Sequence, residues 1–190
     1  MALPLIALGL ALGAAAFHEA NRKHYKSVEK ERRDPHLNLD DAKLAKSPSD
    51  RYCRSHPVQP RPGSIVCCEV YNFLDHTGIW IDEETIIELS NSGLVKAVSA
   101  ERFLSERSGD HIFVACDNQH NPVVIEGTQQ RAIAQLFTYR DYDLIENNCH
   151  RFVHHCVTGR DCKISRFSSL NDILLSLIGH DIYWDRVKVR

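Results

Sequence analysis

The sequence lacks several features that would assign a protein to a common class at once. Its 23 basic and 25 acidic residues nearly cancel, and the formal net charge of −2 gives no overall electrostatic argument for nucleic-acid binding. It contains no Cys-x-x-Cys pair, which removes the commonest zinc-ribbon and thioredoxin patterns, and no internal repeat. What is present is a chain of 190 residues, 43% of them apolar, which fits one domain with a real core plus appendages.

The cysteines give no disulfide framework. There are seven of them, without a repeated spacing: Cys53, Cys67, Cys68, Cys116, Cys149, Cys156 and Cys162. An odd number without a regular pattern is typical of proteins from a reducing compartment, and we expect such a location here.

The amino-terminal residues 2–17 form an apolar run without a charged side chain. As a helix this run would span roughly 24 Å, slightly less than the ~30 Å hydrocarbon core of a bilayer. We expect a membrane anchor over residues 1–17. A cleaved signal peptide is the alternative, because residues 14–16 are small alanines, although no basic residue precedes the run. A buried amphipathic helix is the third interpretation, and the run has no polar face to support it.

Residues 18–60 are expected to be a charged segment followed by a proline-containing linker. Basic residues outnumber acidic ones just after the apolar run: Arg22, Lys23, Lys26, Lys30, Arg32 and Arg33 against Glu19, Glu29 and Glu31. Basic flanks stay cytoplasmic, so an anchored chain would have its folded part in the cytosol. A solvated helical face is the other explanation of this charge run.

Residues 61–190 are expected to form the folded domain, with strands followed by helices in an α+β layout. Strands are predicted at 64–71, 76–82, 85–89 and 111–116, and the acidic residues 82–84 make a hairpin turn. A short helix is predicted to begin at Ser99. Longer helices are predicted at 124–138, at 148–158 ending at Gly159, and from Ser168 or Ser169 to Gly179. The first of these has an apolar stripe of Ile125, Ala132, Ile133, Leu136 and Phe137.

The most informative segment surrounds Cys149. Asn148 is a good helix N-cap, so Cys149 falls in the first turn, where the helix dipole and backbone amides favour a thiolate. The same amides could donate to the oxyanion of a tetrahedral intermediate. Cys149 also begins a stripe with Phe152, Val153 and Cys156, which directs the thiol towards the strands. We therefore predict a nucleophile at Cys149 and a core residue at Cys156, the alternative for Cys149 being an inert buried cysteine.

A thiolate nucleophile needs an imidazole base, and the base needs a third group that fixes its tautomer. His76 opens a predicted strand in which it shares one face with Gly78 and Trp80. In the predicted hairpin, Glu88 lies close to opposite Gly78, within diagonal reach of His76. The predicted catalytic residues are therefore Cys149, His76 and Glu88, with no cofactor and no metal.

At this point the sequence resembles the lecithin:retinol acyltransferase (LRAT) domain family over roughly residues 61–160. The resemblance is carried by Arg61-Pro62-Gly63, His76-Thr77-Gly78-Ile79-Trp80, Glu88, and Asn148-Cys149 with Phe152-Val153. The family is a circular permutation of papain, related to the NlpC-type cysteine peptidases. The resemblance implies a permuted papain-like fold, in which a small antiparallel sheet packs against helices. It also implies a lipid acyltransferase or phospholipase that works through a thioester on Cys149, with a lipid or other acyl substrate as its partner.

The sequence departs from the family pattern at three points. Glu88 stands where lipid-active members usually have a second histidine, Ser64 stands where an aspartate usually follows Pro-Gly, and Asn-Cys-Glu-His becomes Asn-Cys-His-Arg. The carboxylate of Glu88 slightly favours the alternative enzyme, an NlpC-type peptidase or amidase. The alternative outside enzymes is a membrane-anchored Cys/His binding module without catalysis.

The helix that begins near Cys149 also contains His150, His154 and His155. His150 and His154 have the i, i+4 spacing of metal ligands, but the pattern supplies no third ligand. We expect all three histidines on the polar, solvent-facing side of the helix. Residues 91–108 are a candidate lid over the site.

Overall fold

The computed structural model describes residues 57–70, 74–105, 107, 109–143 and 148–189. The predicted membrane anchor or signal segment over 1–17, and the charged segment and linker as far as residue 56, lie outside the described residues. In the ranges that are described, no helix combines the length and apolar character needed to cross a membrane.

One antiparallel sheet organises the fold. Its strands are β1 (Ile65–Val70), β2 (Leu74–Trp80), β3 (Thr85–Leu89), β4 (Val95–Ser99), β5 (Ile112–Cys116) and β6 (Tyr183–Arg186). Their order across the sheet is β4-β3-β2-β1-β5-β6, and each neighbouring pair is antiparallel. The described helices are α1 (Ala100–Leu104), α2 (Thr128–Ala134), α3 (Cys149–Thr158) and α4 (Phe167–Ile178). The predicted α+β class, with an antiparallel sheet packed against helices, is confirmed.

The sheet separates two apolar clusters, because successive residues of a strand point to opposite faces. On one face, Ile79 and Ile87 pack with Phe152 and Val153 of α3 and with Leu170 and Leu174 of α4, among others. On the other face, Trp80 and Ile86 pack with Phe103 of α1. The α3 residues Phe152 and Val153 are fully buried, which confirms the stripe predicted to start at Cys149.

The β2–β3 hairpin is present with a small shift in its boundaries. Strand β2 begins and ends two residues before the predicted range of 76–82. Ile81 and Asp82 belong to the turn, where Asp82 Oδ1 accepts the amide hydrogen of Thr85 at 3.1 Å. Just before residue 61, where the folded domain was predicted to begin, the amide of Val58 donates to the carbonyl of Arg186 at 2.7 Å.

The predicted helix over 124–138 is wrong at both ends. Helix α2 begins only at Thr128, because Gly127 lies in the left-handed region with φ of 77° and Val124 forms an isolated bridge with Ser64. After the helix the chain turns back towards β4, and the amide of Phe137, whose φ is 62°, donates to the carbonyl of Val95.

The apolar stripe predicted for this helix is only partly buried. Ala132 is buried, but Ile133 is 45% exposed and Phe137 is 78% exposed. Periodicity was a poor guide here because Phe137 has left the helix, so the spacing of 3.6 residues per turn no longer relates it to Ala132.

The lid proposed for residues 91–108 is wrong over most of its length. Residues 95–99 form β4, which pairs with all five residues of β3, and residues 100–104 form α1. The predicted cap of α1 is confirmed, since the Ser99 side chain accepts the amide hydrogen of Arg102.

Candidate active site

The β2–β3 hairpin joins His76 to Glu88. Gly78 pairs with Glu88, as the turn predicted, so His76 lies diagonally across from the carboxylate. His76 Nε2 is 2.7 Å from Glu88 Oε2. Both residues are buried, with 8% and 1% of their surfaces exposed. The hairpin register that was predicted from the position of the turn therefore agrees with the structure, and it places the imidazole and the carboxylate in contact.

Glu88 is held by two further cations. Arg107 Nη2 donates to the same Oε2 atom at 2.8 Å, and Lys96 Nζ lies 3.5 Å from Oε1. Burial alone would raise the pKa of Glu88, but the hydrogen bond and charge of His76 and the charge of Arg107 outweigh burial and lower it to about 2. The carboxylate is therefore ionised at neutral pH and accepts from Nε2–H of His76. This bond fixes the tautomer of the neutral imidazole, with its lone pair on Nδ1.

Phe103 of α1 packs on the imidazole of His76. The two ring centroids are 5.2 Å apart, and the guanidinium of Arg107 lies 4.9 Å from the centre of the same Phe103 ring. Gly78 leaves room for this ring: a Cβ atom there would lie 3.0 Å from Phe103 Cε2 and 2.7 Å from Ile86 Cγ2. The glycine of the His-x-Gly sequence thus has a steric reason, which is the close approach of Ile86 and of the Phe103 ring that packs on His76.

Helix α3 presents Cys149 as its first residue, as predicted. Asn148 is the N-cap, and its Oδ1 accepts the amide hydrogens of His150 at 3.0 Å and Arg151 at 3.2 Å. Cys149 itself is 4% exposed. The amides of His150 and Arg151 already donate to the Asn148 cap. Of the first-turn amides expected to donate to an oxyanion, the amide of Cys149 is therefore the one that we keep as the candidate.

The thiol of Cys149 interacts with the imidazole of His76. Burial disfavours the thiolate of Cys149 and so raises its pKa. The charges of His150 and His76, and the hydrogen bonds that each imidazole makes with the thiol, outweigh burial and lower this pKa well below its ordinary 9.0. In the same way, burial disfavours the imidazolium, yet the charge of Cys149 and hydrogen bonds with Cys149 and Glu88 raise the pKa of His76 above 6.5. These opposite shifts favour a thiolate–imidazolium pair. Because Nε2 of His76 faces Glu88, Nδ1 is the nitrogen left for the thiol.

His150 also belongs to this site, although the sequence predicted it on the solvent-facing side of the helix. Its Nδ1 lies 3.9 Å from Cys149 Sγ and 3.2 Å from the Thr77 hydroxyl oxygen, and its ring is 5.8 Å from that of Phe167. The expectation that it faces solvent is wrong, because His150 is 6% exposed, as is His154. Its position beside Cys149 in the capped first turn was the available signal.

The remaining titratable neighbours of the thiol stay neutral over a wide pH range. Burial raises the pKa of Cys68, which lies opposite His76 in the sheet, to about 12. Burial and the charge of Cys149 raise the pKa of Tyr142 to about 12. Among the described residues there is no cluster of three or more His, Cys, Asp or Glu side chains that could hold a metal ion. The described cysteines form no disulfide with one another.

Comparison with known proteins adds no assignment. No model of a known protein family matches the chain, and no curated protein matches it.

Proposed function

We propose that this protein is a cysteine-dependent acyl-transfer enzyme. The proposal is carried by the buried group of Cys149, His76 and Glu88, in which His76 Nε2 lies 2.7 Å from Glu88 Oε2, the pKa of the thiol is lowered and that of the imidazole is raised. A cysteine that only fills space has a raised pKa when buried, so the lowered pKa of this thiol supports a nucleophilic role.

In the first half of the reaction, the Cys149 thiolate attacks the carbonyl carbon of an acyl donor. The carbonyl oxygen becomes an oxyanion that the Cys149 amide can stabilise. When the intermediate collapses, the bond to the leaving group breaks, and His76 gives its Nδ1 proton to that group. The acyl group is then held as a thioester on Sγ, and His76 is neutral.

In the second half, His76 Nδ1 takes a proton from the acceptor, which is water, an amine or a hydroxyl. The acceptor attacks the thioester carbonyl, the C–S bond breaks, and Sγ leaves as the thiolate. Glu88 keeps Nε2–H oriented throughout, so the thiolate–imidazolium pair is restored at the end of each cycle.

We propose an ester lipid as the acyl donor, with the domain tethered to a membrane on its cytosolic side. Two features support this: the resemblance to the LRAT domain and the apolar segment over residues 1–17. The permuted papain-like fold belongs to the same proposal. Its support is the order of histidine strand before cysteine helix, together with the antiparallel sheet on which α3 packs.

The test is to incubate the protein with phosphatidylcholine vesicles and to analyse it by intact mass and peptide mapping. We expect an added acyl mass on Cys149 that hydroxylamine removes, and none on Cys149→Ala. Cys162→Ala, which changes an exposed cysteine, is the matched control and should be acylated like the unchanged protein. An unmodified Cys149 without lipid turnover would contradict a lipid donor.

A peptidase or amidase is the second candidate, and the Glu88 carboxylate bonded to His76 favours it. The same pair would then cleave an amide and protonate the departing amine. Release of amines from a peptide library, lost in Cys149→Ala and accompanied by no lipid turnover, would select this candidate over the first.

A further inference from the structure

A second imidazole touches the nucleophile. Besides His76, His150 also contacts Cys149, and its Nδ1 lies 3.9 Å from Sγ. The Thr77 hydroxyl, 3.2 Å from the same nitrogen, and the ring of Phe167 hold the imidazole on either side. Thr77 is fully buried and His150 is 6% exposed. Nδ1 is therefore held in a buried position within reach of both the Thr77 hydroxyl oxygen and Sγ.

In the thioester mechanism, a second donor near Sγ would stabilise the thiolate that leaves in the second half of the reaction. When the acyl group leaves Cys149 in the second half of the reaction, negative charge returns to Sγ while His76 is occupied with the acceptor's proton. A second donor at the sulfur stabilises the departing thiolate without taking part in that proton transfer. It equally stabilises the resting thiolate in a buried site, where burial disfavours the charge.

We propose that His150 is a second catalytic histidine, which donates from Nδ1 to Cys149 Sγ and holds the thiolate while His76 transfers the protons. The inference rests on the proposed acyl-transfer function and assigns its two imidazoles separate tasks. Thr77 is a positioning residue, because it acts only through the His150 ring.

The other groups that face the thiol do not obscure a measurement of this effect. From β1 comes Cys68, and from the segment before α3 comes Tyr142, and both have pKa values of about 12. From β2 comes His76, backed by Glu88 and Arg107. The contributions of His76 and His150 to the reactivity of Cys149 are separated by separate variants.

The experiment measures the rate of Cys149 alkylation by iodoacetamide between pH 5 and 10, using the full chain and locating the label by peptide mapping. Two variants remove the imidazole: His150→Gln, and His150→Phe, which keeps a ring against Phe167. We expect the alkylation rate at pH 6 to fall about tenfold in both, since one unit of thiol pKa is a factor of ten in thiolate. Above the thiol pKa the rates should converge.

His154→Gln is the matched control, because His154 lies one turn further along α3 and is equally buried. It should leave the alkylation profile unchanged. If both His150 variants keep the original profile while His76→Gln shifts it, the role of His150 is overturned and the proposed function stands. An equal shift in His154→Gln also overturns it, because the effect would then be general to the helix. Failure of Cys149 to react in the unchanged protein would remove the proposed function itself.

Discussion

Helix α3 contains two buried cysteines with opposite properties. Cys149 and Cys156 lie on the same face, with 4% and 0% of their surfaces exposed. The pKa of Cys149 is lowered well below 9.0, whereas burial raises the pKa of Cys156 to about 12. Burial acts in the same direction on both thiols, so their neighbours account for the difference.

The two ends of the helix supply those neighbours. At the amino end the Asn148 cap, the positive end of the helix dipole and two imidazoles favour negative charge on Cys149. At the carboxyl end the guanidinium of Arg131 donates to the carbonyl oxygens of Cys156 and Val157. The charges of Arg140 and Arg131 also lower the pKa of the Cys156 thiol, but less than burial raises it. A buried cysteine becomes a nucleophile where imidazoles reach its sulfur, and burial alone only makes it inert.

The strongest test of this difference replaces each cysteine by alanine. We expect Cys149→Ala to abolish acylation and the iodoacetamide labelling seen at pH 6. Cys156→Ala should retain both, while its free energy of unfolding falls by about 1–2 kcal/mol because a buried side chain is shortened. Intact mass and urea unfolding measure the two effects. Loss of labelling in Cys156→Ala with an unchanged fold would contradict the conclusion that Cys149 is reactive and Cys156 is inert.

The next effect concerns the base. His76→Gln removes the proposed general acid–base group, and we expect kcat/KM to fall by about 10²–10⁴. His120→Gln is the matched control, because His120 also pairs with a buried carboxylate, at 3.1 Å from Asp185 Oδ2, on β6. Its activity should stay within twofold of the unchanged protein. An equal fall of kcat/KM in both variants would mean that the His76–Glu88 pair affects activity only by stabilising the fold.

A smaller effect is expected from pH. The reactive form has Cys149 deprotonated and His76 protonated, and their pKa values are shifted down from 9.0 and up from 6.5 respectively. The rate should rise as pH passes the lowered value and fall as it passes the raised one, which gives a bell-shaped profile of kcat/KM. Cys156 cannot contribute, since its pKa is about 12. A rate that rises steadily to pH 9 would indicate an ordinary thiol at position 149.

The smallest effect on reactivity belongs to the carboxyl end of α3. Arg131→Gln removes hydrogen bonds from the guanidinium to the carbonyls of Cys156 and Val157. We expect the free energy of unfolding to fall by about 1–3 kcal/mol, because buried acceptors lose charged donors. The alkylation rate of Cys149 should change by less than twofold. A larger change would show that the two ends of the helix are coupled.

The local parts of the site were predictable because they depend on residues that are close in the sequence. Alternation along β2 and the position of the acidic turn predicted that Glu88 reaches His76. The Asn148 cap and the apolar stripe predicted the place of Cys149. The role of Arg107 was not predictable, since its bond to Glu88 depends on where the chain returns after α1.

In the fold, too, features set by nearby residues were predicted and features set by distant contacts were missed. Strand β4 and strand β6 were missed, because each is short and contains charged residues, and hydrogen bonding to β3 and β5 makes them strands. The helix predicted over 124–138 was too long at both ends. The left-handed Gly127 separates the extended residues before it from the helix, and after the helix the backbone of residues 137 and 138 forms hydrogen bonds with Val95 of β4. Periodicity described the interiors of elements better than their ends.

By itself, the sequence determined the α+β class, the hairpin register and the capped helix that begins at Cys149, because turns, alternation and capping act over a few residues. Tertiary structure alone decided that His150 is buried against Thr77 and that Arg107 shares the Glu88 carboxylate with His76. These contacts join segments far apart in the chain, and no local pattern encodes the distance between them.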